Sequence, residues 1–594
     1  MNTDKTNMKQ KSQKFKYGLV ASLVIISLGA CQSPRDQESD VAKPYADESK
    51  RLKAEQISQD KKQRQQAQNQ TVLRKELREV NEAEMIMVTG SRLKASDVAY
   101  TQPQKVMMPA PRNPNVVNRE QYQEIEPSDV FSTLEQPVST FSIDVDTGSY
   151  SNVRRMLNDG YFPPSNAVRL EEFVNYFNYD YPAPDSKDMP FSVSTEVMDA
   201  PWKDKAKLVQ IGIKGYEKVS TDLPPSNLVF LVDVSGSMQS QDKLGLVKKA
   251  LKLLAKGSRE EDKISLVVYA GASGVVLEPT AANNRVKIEQ ALDSLTAGGS
   301  TNGGAGIELA YKMAEKAFIK DGINRVILAT DGDFNVGTVN REQLIDMIER
   351  KRKTGISFSA LGFGSGNYNE HLMEQLADKG NGNYGYIDNL LEAKKLLVDQ
   401  RAGTLMTIAR DVKIQVEFNP AVVSEYRLLG YQNRMLERED FNNDKVDAGE
   451  IGAGHTVTAL YEIVLQDSEG ERMEPLRYGQ NHKQQESAKL EEAAMISLRY
   501  KLPDESKSTL YRDYLATAQV RAAKGGDNIR FAASVASFAE LLRGGQFLGD
   551  WSWDDAKRLA QQSKGADTNG YRGELVQLVG MAQVLDEQSV AGSR

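Results

Sequence analysis

The feature that most constrains the fold is an alternation of apolar strands and amphipathic helices between residues 226 and 403. It begins with NLVFLVDV (227–234), a continuous apolar run typical of a parallel strand buried on both faces. The next segment, 242–257, repeats leucine and valine at helical spacing. Strands that alternate with helices form parallel sheets through helical crossovers. The pattern therefore predicts an α/β fold with a doubly wound, mostly parallel sheet and helices on both faces.

We place the boundaries of this predicted domain at 223–403. Two further segments flank it. The upstream segment, 121–222, is α+β, and the downstream segment, 404–594, is β-rich and then helical. Strands within 191–215 and 411–501 share the alternating pattern of half-buried sheets. We therefore predict one β-sandwich, with the α/β domain inserted between its two parts.

The start of the sequence has the layout of an export signal. A lysine-rich stretch precedes YGLVASLVIISLGA (17–30), which is shorter than the roughly 20 apolar residues of a membrane span but suits a signal-peptide core. The run ends in Leu28-Gly29-Ala30-Cys31 and resembles the bacterial lipobox, in which the leader is cut before a cysteine that carries the lipid. The resemblance implies a signal peptide over 1–30 and a lipid anchor on Cys31. The alternative is an ordinary secretory signal with a chance cysteine.

The residues after the cysteine predict a tether. Residues 31–120 are rich in Gln, Lys, Asp and Glu and poor in aromatics, so they bury little apolar surface and are expected to be flexible. Gln32, rather than Asp, follows the cysteine, which favours the outer membrane in enterobacteria-like sorting. We therefore expect a lipid-anchored protein of the bacterial cell envelope, facing the periplasm from the outer membrane.

Composition excludes several classes of function. The net charge of −7 argues against nucleic-acid binding, which needs a concentrated basic face. Cys31 is the single cysteine, which excludes intrachain disulfides and cysteine-rich metal clusters. With only His371, His455 and His482, a site built from several histidines is not expected either.

Oxygen-bearing side chains stand in three separated loops near predicted strand ends. These loops are DVSGS after strand 227–234, GGSTNGG (298–304) and TDGD (330–333). Ligands bind at the carboxyl ends of the strands in such sheets, and hard cations prefer oxygen ligands. If DVSGS stays extended, its three polar side chains face one side. The sequence therefore favours a cation site over an ordinary polar turn beside a glycine-rich loop. Its candidate ligands are Asp233, Ser235, Ser237, Thr301 and Asp331.

These loops, in this order and strand context, resemble the metal-ion-dependent adhesion site of the von Willebrand factor type A (VWA) domain. The resemblance implies that Ser235, Ser237 and Thr301 ligate Mg²⁺ (or Mn²⁺) directly. It implies that Asp233 and Asp331 act directly or through water. It also implies a protein partner whose Asp or Glu carboxylate fills the open coordination position.

The flanking segments carry a second resemblance. The upstream segment is similar to the N-terminal region of YfbK-like bacterial lipoproteins over residues 137–182. The downstream segment is similar to their C-terminal region over residues 436–463 and 538–545. Together with the VWA-like domain, the resemblance covers roughly residues 120–590. The resemblance implies the domain architecture of this family, and it says less about the physiological role of the protein.

Two other motifs compete with this site. DFNNDKVDAGE (440–450) places Asp440, Asn442 and Asp444 like the first half of a calcium loop, but Lys445 and Ile451 replace the expected glycine and glutamate. A solvated hairpin loop is the better interpretation. GFGSGN (362–367) lacks the spacing of the dinucleotide fingerprint, so we interpret it as a glycine-rich loop on the metal-site side.

Two functions remain after these comparisons of motifs. The chain has no GxSxG elbow and no histidine near Ser235 in sequence, so we expect no enzyme activity. The first hypothesis is a membrane-anchored protein that binds a protein partner through the cation. The alternative is a structural or assembly lipoprotein of the envelope, in which the metal only stabilises the fold.

Overall fold

The structure is a computed structural model that describes residues 119–592, except for 125, 144–145, 185–188, 218–222, 301–302, 333–340, 467, 475–489 and 504. The predicted signal peptide (1–30), Cys31, nearly all of the tether (31–120) and Thr301 lie outside the described residues. Among the described helices, none combines the length and the apolar character that a membrane span requires.

The strands follow one another along the whole described chain. They are β1 (Phe131–Ser132), β2 (Val138–Ser142), β3 (Phe191–Asp199), β4 (Ala206–Gly215), β5 (Ser226–Asp233), β6 (Lys263–Tyr269), β7 (Ser273–Ala281), β8 (Ile323–Thr330), β9 (Ser357–Phe363), β10 (Tyr384–Ile387), β11 (Thr407–Phe418), β12 (Val423–Leu429), β13 (Gly449–Gly452), β14 (Thr456–Leu465), β15 (Glu492–Lys501) and β16 (Thr509–Ala516).

The helices alternate with strands in the middle of the chain and cluster at its end. They are α1 (Gly148–Asn158), α2 (Leu170–Asn175), α3 (Leu246–Lys256), α4 (Arg285–Asp293), α5 (Gly303–Lys316), α6 (Arg341–Arg352), α7 (Glu370–Lys379), α8 (Leu390–Lys394), α9 (Arg401–Leu405), α10 (Thr517–Ala522), α11 (Asp527–Leu542), α12 (Trp553–Ser563) and α13 (Tyr571–Gly592).

The central α/β region contains a six-stranded sheet in the order β10-β9-β8-β5-β6-β7. All neighbours pair in parallel except β7, an antiparallel edge strand beside β6. The chain leaves β5 through α3 to β6 on one side, and β8 lies on the other side. The predicted doubly wound, mostly parallel sheet is therefore confirmed, with β5 at its centre.

Strand β5 contributes to hydrophobic cores on both faces of this sheet. Phe230 and Val232 pack in a core with α3 and α4, whereas Val229 and Leu231 pack in a core with α5 and α7. Side chains alternate across a strand, so a strand covered on both faces needs apolar residues at every position. This explains the uninterrupted apolar run before Asp233.

The flanking segments together form a β-sandwich. One sheet has the order β1-β12-β14-β4-β3, and the other has β13-β11-β15-β16 with β2 also paired to β11. Strand β4 (206–215) pairs antiparallel with β14 from beyond the α/β region. Apolar side chains of the two sheets share one buried core. The predicted sandwich, with the α/β region inserted in sequence between its strands, is thus confirmed.

A helical layer covers the outer face of the first sandwich sheet. Helices α1, α2, α11, α12 and α13 share a core with Leu208 of β4 and Leu460 of β14. Helix α11 has an almost entirely buried surface, as expected for a helix packed between a sheet and other helices. The predicted mainly helical character from residue 505 is confirmed only from Thr517 onward, because Thr509–Ala516 form strand β16, which pairs with β15.

The helix expected over 242–257 differs from the prediction at its start. Residues Gln241–Gly245 form a π-helical turn, and the α-helix begins at Leu246. Lys243, inside the turn, has φ −109° and ψ −105°, outside the helical range. Hydrophobic periodicity predicts the buried face of a helix but does not distinguish an α-helical first turn from a π-helical one.

Candidate functional site

The candidate site lies where β5 and β8 end side by side. Val232 stands opposite Ala329 in the parallel register, so Asp233 and Asp331 leave the sheet from adjacent strands. From β5 the chain continues to β6 on one side, whereas from β8 it continues to β9 on the other side. This position is therefore the topological switch point at which α/β sheets bind ligands.

Asp233 is fully buried and is held by three donors. One carboxylate oxygen accepts the backbone N–H of Ser235 at 2.8 Å. The other accepts the hydroxyls of Thr330 at 2.9 Å and Tyr269 at 3.1 Å. Burial raises the pKa of Asp233 despite the hydrogen bonds from Ser235 and Thr330, and the nearby charge of Asp331 raises it further. Asp233 is thus a buried carboxylate whose ionisation is opposed by burial and by a neighbouring charge, and a bound cation would relieve both effects.

Ser235 and Ser237 bring their hydroxyl oxygens within 3.0 Å of each other. Ser235 is extended, with φ −61° and ψ 168°, but Gly236–Gln239 form a 3₁₀ turn. The expectation that an extended segment aligns these side chains is therefore only partly right, because the turn brings Ser237 back towards Ser235. Adjacent octahedral ligands at 2.0–2.1 Å from Mg²⁺ stand about 2.9 Å apart. The two hydroxyls have a spacing that suits one such cation.

The glycine-rich loop at 298–300 is attached directly to the DVSGS loop. The Gly298 N–H donates to the carbonyl of Val234 at 2.8 Å, and the Gly236 N–H donates to the carbonyl of Gly299 at 3.0 Å. Thr301 itself lies outside the described residues, so its role as a ligand stays a prediction.

Asp331 is buried against an ammonium group. Lys243 Nζ donates to Asp331 Oδ2 at 2.9 Å, and the exposure of the two side chains is 9% and 0%, respectively. The next residue, Gly332, has φ +86°, which a glycine adopts without a Cβ penalty. A Cβ at Gly332 would lie 2.6 Å from the backbone nitrogen of Asn369. The loop after β8 therefore requires glycine at this position.

The sequence interpretation did not assign roles to Lys243, Tyr269 and Thr330. Tyr269 is the last residue of β6 and Thr330 the last residue of β8, and these strands are the two neighbours of β5. Their positions at strand ends could therefore have predicted that they lie near Asp233. Burial raises the pKa of Tyr269 well above its usual range, and Asp233 raises it further, so the phenol stays a neutral donor. Lys243 had no such signal, because its inward position depends on the π-helical turn.

The side chains at this site match the ligand preference of a hard divalent cation. Within the part of the chain that the structure describes, no three His, Cys, Asp or Glu side chains cluster in a way that could hold a metal ion. The candidate set instead combines two carboxylates with two hydroxyls, all of them oxygen donors. The buried Lys243 ammonium beside Asp331 also shows that a positive charge is accommodated there. The donor set therefore fits a hard cation such as Mg²⁺ or Mn²⁺.

The segment 440–450, which carries the competing calcium motif, is not the predicted hairpin loop. It connects β12 of one sandwich sheet to β13 of the other, so it is a crossover between sheets. Asn442 Oδ1 accepts a hydrogen bond from Arg499 at 2.8 Å, and Asp440 Oδ2 accepts the N–H of Glu437 at 3.3 Å. These side-chain oxygens point to separate protein donors rather than to one centre.

The GFGSGN loop (362–367) lies on the metal-site side of the sheet, as expected. It follows β9, the neighbour of β8, and Gly364 contacts the side chain of Lys243. Gly364 therefore has a packing explanation that involves no nucleotide.

Comparison with known proteins agrees with this fold. Residues 227–399 match the family model for the von Willebrand factor type A domain, and residues 116–210 match one described as von Willebrand factor. The α/β region is therefore a VWA domain, a domain type that mediates protein–protein interaction.

The flanking segments identify the family more narrowly. Residues 403–585 match the family model "Uncharacterized protein YfbK, C-terminal". Over 467 residues the chain is 46% identical to "Uncharacterized protein YfbK" of Escherichia coli (strain K12), which covers 78% of this chain and 80% of that protein. The chain belongs to the YfbK family.

More distant similarities extend to other proteins and to solved structures. The chain is 25% identical to the human inter-alpha-trypsin inhibitor heavy chain H3 over 266 residues, covering 41% of this chain and 29% of that protein. Among solved structures, a von Willebrand factor type A protein from Catenulispora acidiphila has 16% identity and a TM-score of 0.36, covering 66% of this chain and 90% of its own. The ArnB paralog VWA2 from Sulfolobus acidocaldarius has 16% identity and a TM-score of 0.33, covering 67% and 98%.

Proposed function

We propose that this protein is a lipid-anchored envelope protein that binds a protein partner through a divalent cation held by its VWA domain. Asp233, Ser235, Ser237 and Asp331 are the described residues that would hold Mg²⁺ or Mn²⁺, with Thr301 as a further predicted ligand. A bound cation would present positive charge to an Asp or Glu carboxylate of the partner. The partner carboxylate takes the coordination position that the protein leaves open.

The observation that carries this proposal is the convergence of two loops at the carboxyl edge of β5 and β8. They place the carboxylates of Asp233 and Asp331 and two hydroxyls 3.0 Å apart at one edge of the sheet. Neither carboxylate is exposed, and the Lys243 ammonium pairs with Asp331. A bound cation would offset the cost of burying the charge of Asp233 as well. A purely polar turn does not need two buried carboxylates.

Crosslinking in intact cells tests the partner function. The full-length chain is crosslinked as wild type and as Asp331→Ala, and the partner is identified by mass spectrometry. We expect one major crosslinked protein with the wild type and its loss with Asp331→Ala. EDTA should release the same protein from the purified, uncrosslinked complex.

Asp262→Ala is the matched control for this experiment. Asp262 is also a fully buried carboxylate next to the central strands, but it accepts the N–H of Ser226 at the opposite end of the sheet and pairs with Arg401 at 3.0 Å. A general loss of stability would affect both variants, whereas loss of the cation site affects only Asp331→Ala. Retention of the partner by Asp331→Ala and in EDTA would contradict the proposal.

The membrane anchor is a separate part of the proposal and rests on the Leu28-Gly29-Ala30-Cys31 sequence. Attached acyl chains would hold the protein at the membrane, stably when more than one is present. Cys31→Ser should remove labelling by radioactive palmitate and release the protein from the membrane fraction. A Cys31→Ser protein that stays membrane-bound and labelled would contradict the anchor.

A second candidate function is favoured by the way Asp233 is held. Its three protein hydrogen bonds make it part of the interior, so a cation there could stabilise the fold without binding a partner. In that case Mn²⁺ would still raise the melting temperature of the wild type. Any partner bound elsewhere on the protein would then still be crosslinked in Asp331→Ala.

A further inference from the structure

Lys243 places a buried positive charge inside the candidate cation site. Its ammonium donates to Asp331 Oδ2 at 2.9 Å, and neither side chain has appreciable contact with solvent. Lys243 belongs to the π-helical turn Gln241–Gly245 that follows the DVSGS loop. The candidate cation ligand Asp331 thus already has a cationic partner supplied by the chain itself.

A second part of the chain provides space for this lysine. At Gly364, after β9, an added Cβ would lie 2.3 Å from Cγ and 2.5 Å from Cε of Lys243. Gly364 also has φ +68°, and its carbonyl accepts the hydroxyl of Tyr386. The inward position of Lys243 therefore depends on two separated segments, and not only on the flexibility of its own side chain.

An ammonium group and a divalent cation compete for the same carboxylate. Both are positive, and their repulsion is strong at short distance in a buried site. We propose that Lys243 is an internal competitor of the cation, so that cation binding requires the Lys243 ammonium to leave Asp331. This inference rests on the proposed function, because it concerns the same cation site.

The proposal makes the site responsive to cation concentration. Without the cation, Lys243 compensates the buried charge of Asp331. With the cation bound, the lysine must take another position, and the turn at Gln241–Gly245 is the segment that would rearrange. The competition lowers the apparent affinity for the cation relative to a site without the lysine.

Cation titration of the full-length chain tests this inference. Binding of Mn²⁺ is measured by the electron paramagnetic resonance signal of the free ion for wild type, Lys243→Met and Lys243→Gln. We expect both substitutions to tighten binding by about tenfold or more, the change produced by removing a modest competing interaction. The control is Lys252→Met, which removes a half-buried lysine of α3 that pairs with Asp293 of α4 at 2.6 Å. It should bind Mn²⁺ like the wild type.

Thermal unfolding provides a second measurement. In EDTA, Lys243→Met should melt at a lower temperature than the wild type, because the buried Asp331 carboxylate loses the Lys243 ammonium. Mn²⁺ should then raise its melting temperature by more than it raises that of the wild type. Lys243→Gln covers the case in which the methionine variant does not fold.

The outcomes separate this inference from the proposed function. Equal or weaker Mn²⁺ affinity in both Lys243 variants, with normal binding by the wild type, overturns the competition and leaves the cation site standing. Failure of the wild type and all variants to bind Mn²⁺ overturns the cation site and this inference together. Tighter binding only in the Lys243 variants supports both.

Discussion

The guanidinium of Arg154 lies 2.7 Å from the carboxylate of Glu392, and both side chains are almost wholly buried. Arg154 is on α1, upstream of the VWA domain, and Glu392 is on α8, near the end of that domain. Arg154 also pairs with Asp388 and with Glu574 on α13. One side chain therefore joins three parts of the chain that are far apart in sequence.

This relationship predicts that Arg154→Met destabilises the protein strongly. The substitution keeps much of the apolar stem but leaves Asp388 and Glu392 buried without their cation. Breaking a buried ion pair in this way costs about 3–5 kcal/mol. Urea unfolding should show a lower free energy of unfolding by roughly that amount.

Lys353→Met is the control for this prediction. Lys353 pairs with Glu349 at 2.9 Å on the surface, where the lysine side chain is 65% exposed. An exposed pair contributes about 0–1 kcal/mol, so this variant should unfold like the wild type. Similar losses in the two variants would show that burial of the Arg154 network has no special effect.

Tyr269→Phe tests the hydrogen bonding around Asp233. The substitution removes the hydroxyl that donates to the Asp233 carboxylate at 3.1 Å. We expect a loss of about 1–2 kcal/mol in the free energy of unfolding, because a hydrogen bond to a charged acceptor is lost. Denaturant titration measures the change, and Mn²⁺ titration should show that the other ligand candidates still bind.

Tyr311→Phe provides the matched comparison for Tyr269→Phe. The Tyr311 hydroxyl is buried but has no hydrogen-bond partner within the described residues. Removing it should therefore be neutral or slightly stabilising. If both tyrosine variants lose the same stability, the bond to Asp233 contributes nothing measurable.

Gly332→Ala should distort the loop that carries Asp331. Its φ of +86° costs an L-residue about 1 kcal/mol or more, and the new Cβ would lie within 2.8 Å of backbone atoms of Tyr368 and Asn369. We expect lower stability and weaker Mn²⁺ binding, measured by urea unfolding and metal titration. Gly366→Ala is the control, since Gly366 has φ +97° but open space at its Cβ. It should show the backbone cost alone and keep normal metal binding.

Stability should depend on pH through Glu370. This residue is on α7 and accepts a hydrogen bond from Arg169 at 3.2 Å, with Glu374 also beside the same guanidinium. Burial raises the pKa of Glu370 to about 7, because Arg169 only partly offsets the burial and Glu374 adds repulsion. A raised folded-state pKa gives stability that is complete below the unfolded pKa and is lost as the pH rises through 7.

The variant Glu370→Gln should reduce this pH dependence. Relative to the wild type, its free energy of unfolding should improve between about pH 4 and pH 7 by up to about 3 kcal/mol. Urea unfolding at pH 5 and pH 8 measures the difference. Glu278→Gln, an exposed residue that pairs with Lys316 on the surface, should follow the wild-type profile. Parallel profiles for Glu370→Gln and the wild type would contradict the prediction.

The sequence by itself was sufficient for the class of fold and for the position of the candidate site. Continuous apolar runs alternating with amphipathic helices predict a parallel sheet, because a strand covered on both faces must be apolar throughout. The alternation in the flanking strands likewise predicted the sandwich, confirmed by the pairing of β4 with β14. Strand ends in such a sheet meet at one edge, so Asp233 and Asp331 could be placed together from their positions alone.

Only the tertiary structure revealed the partners of these carboxylates. The contacts of Tyr269 and Thr330 with Asp233, and of Lys243 with Asp331, join residues 36, 97 and 88 positions apart. Such contacts depend on how neighbouring strands align and on a π-helical turn, and neither leaves a periodic signal in the sequence. The same holds for Arg154, whose charged side chain would be expected on the surface. It is buried because three distant segments bring carboxylates to it, and that convergence exists only in the folded chain.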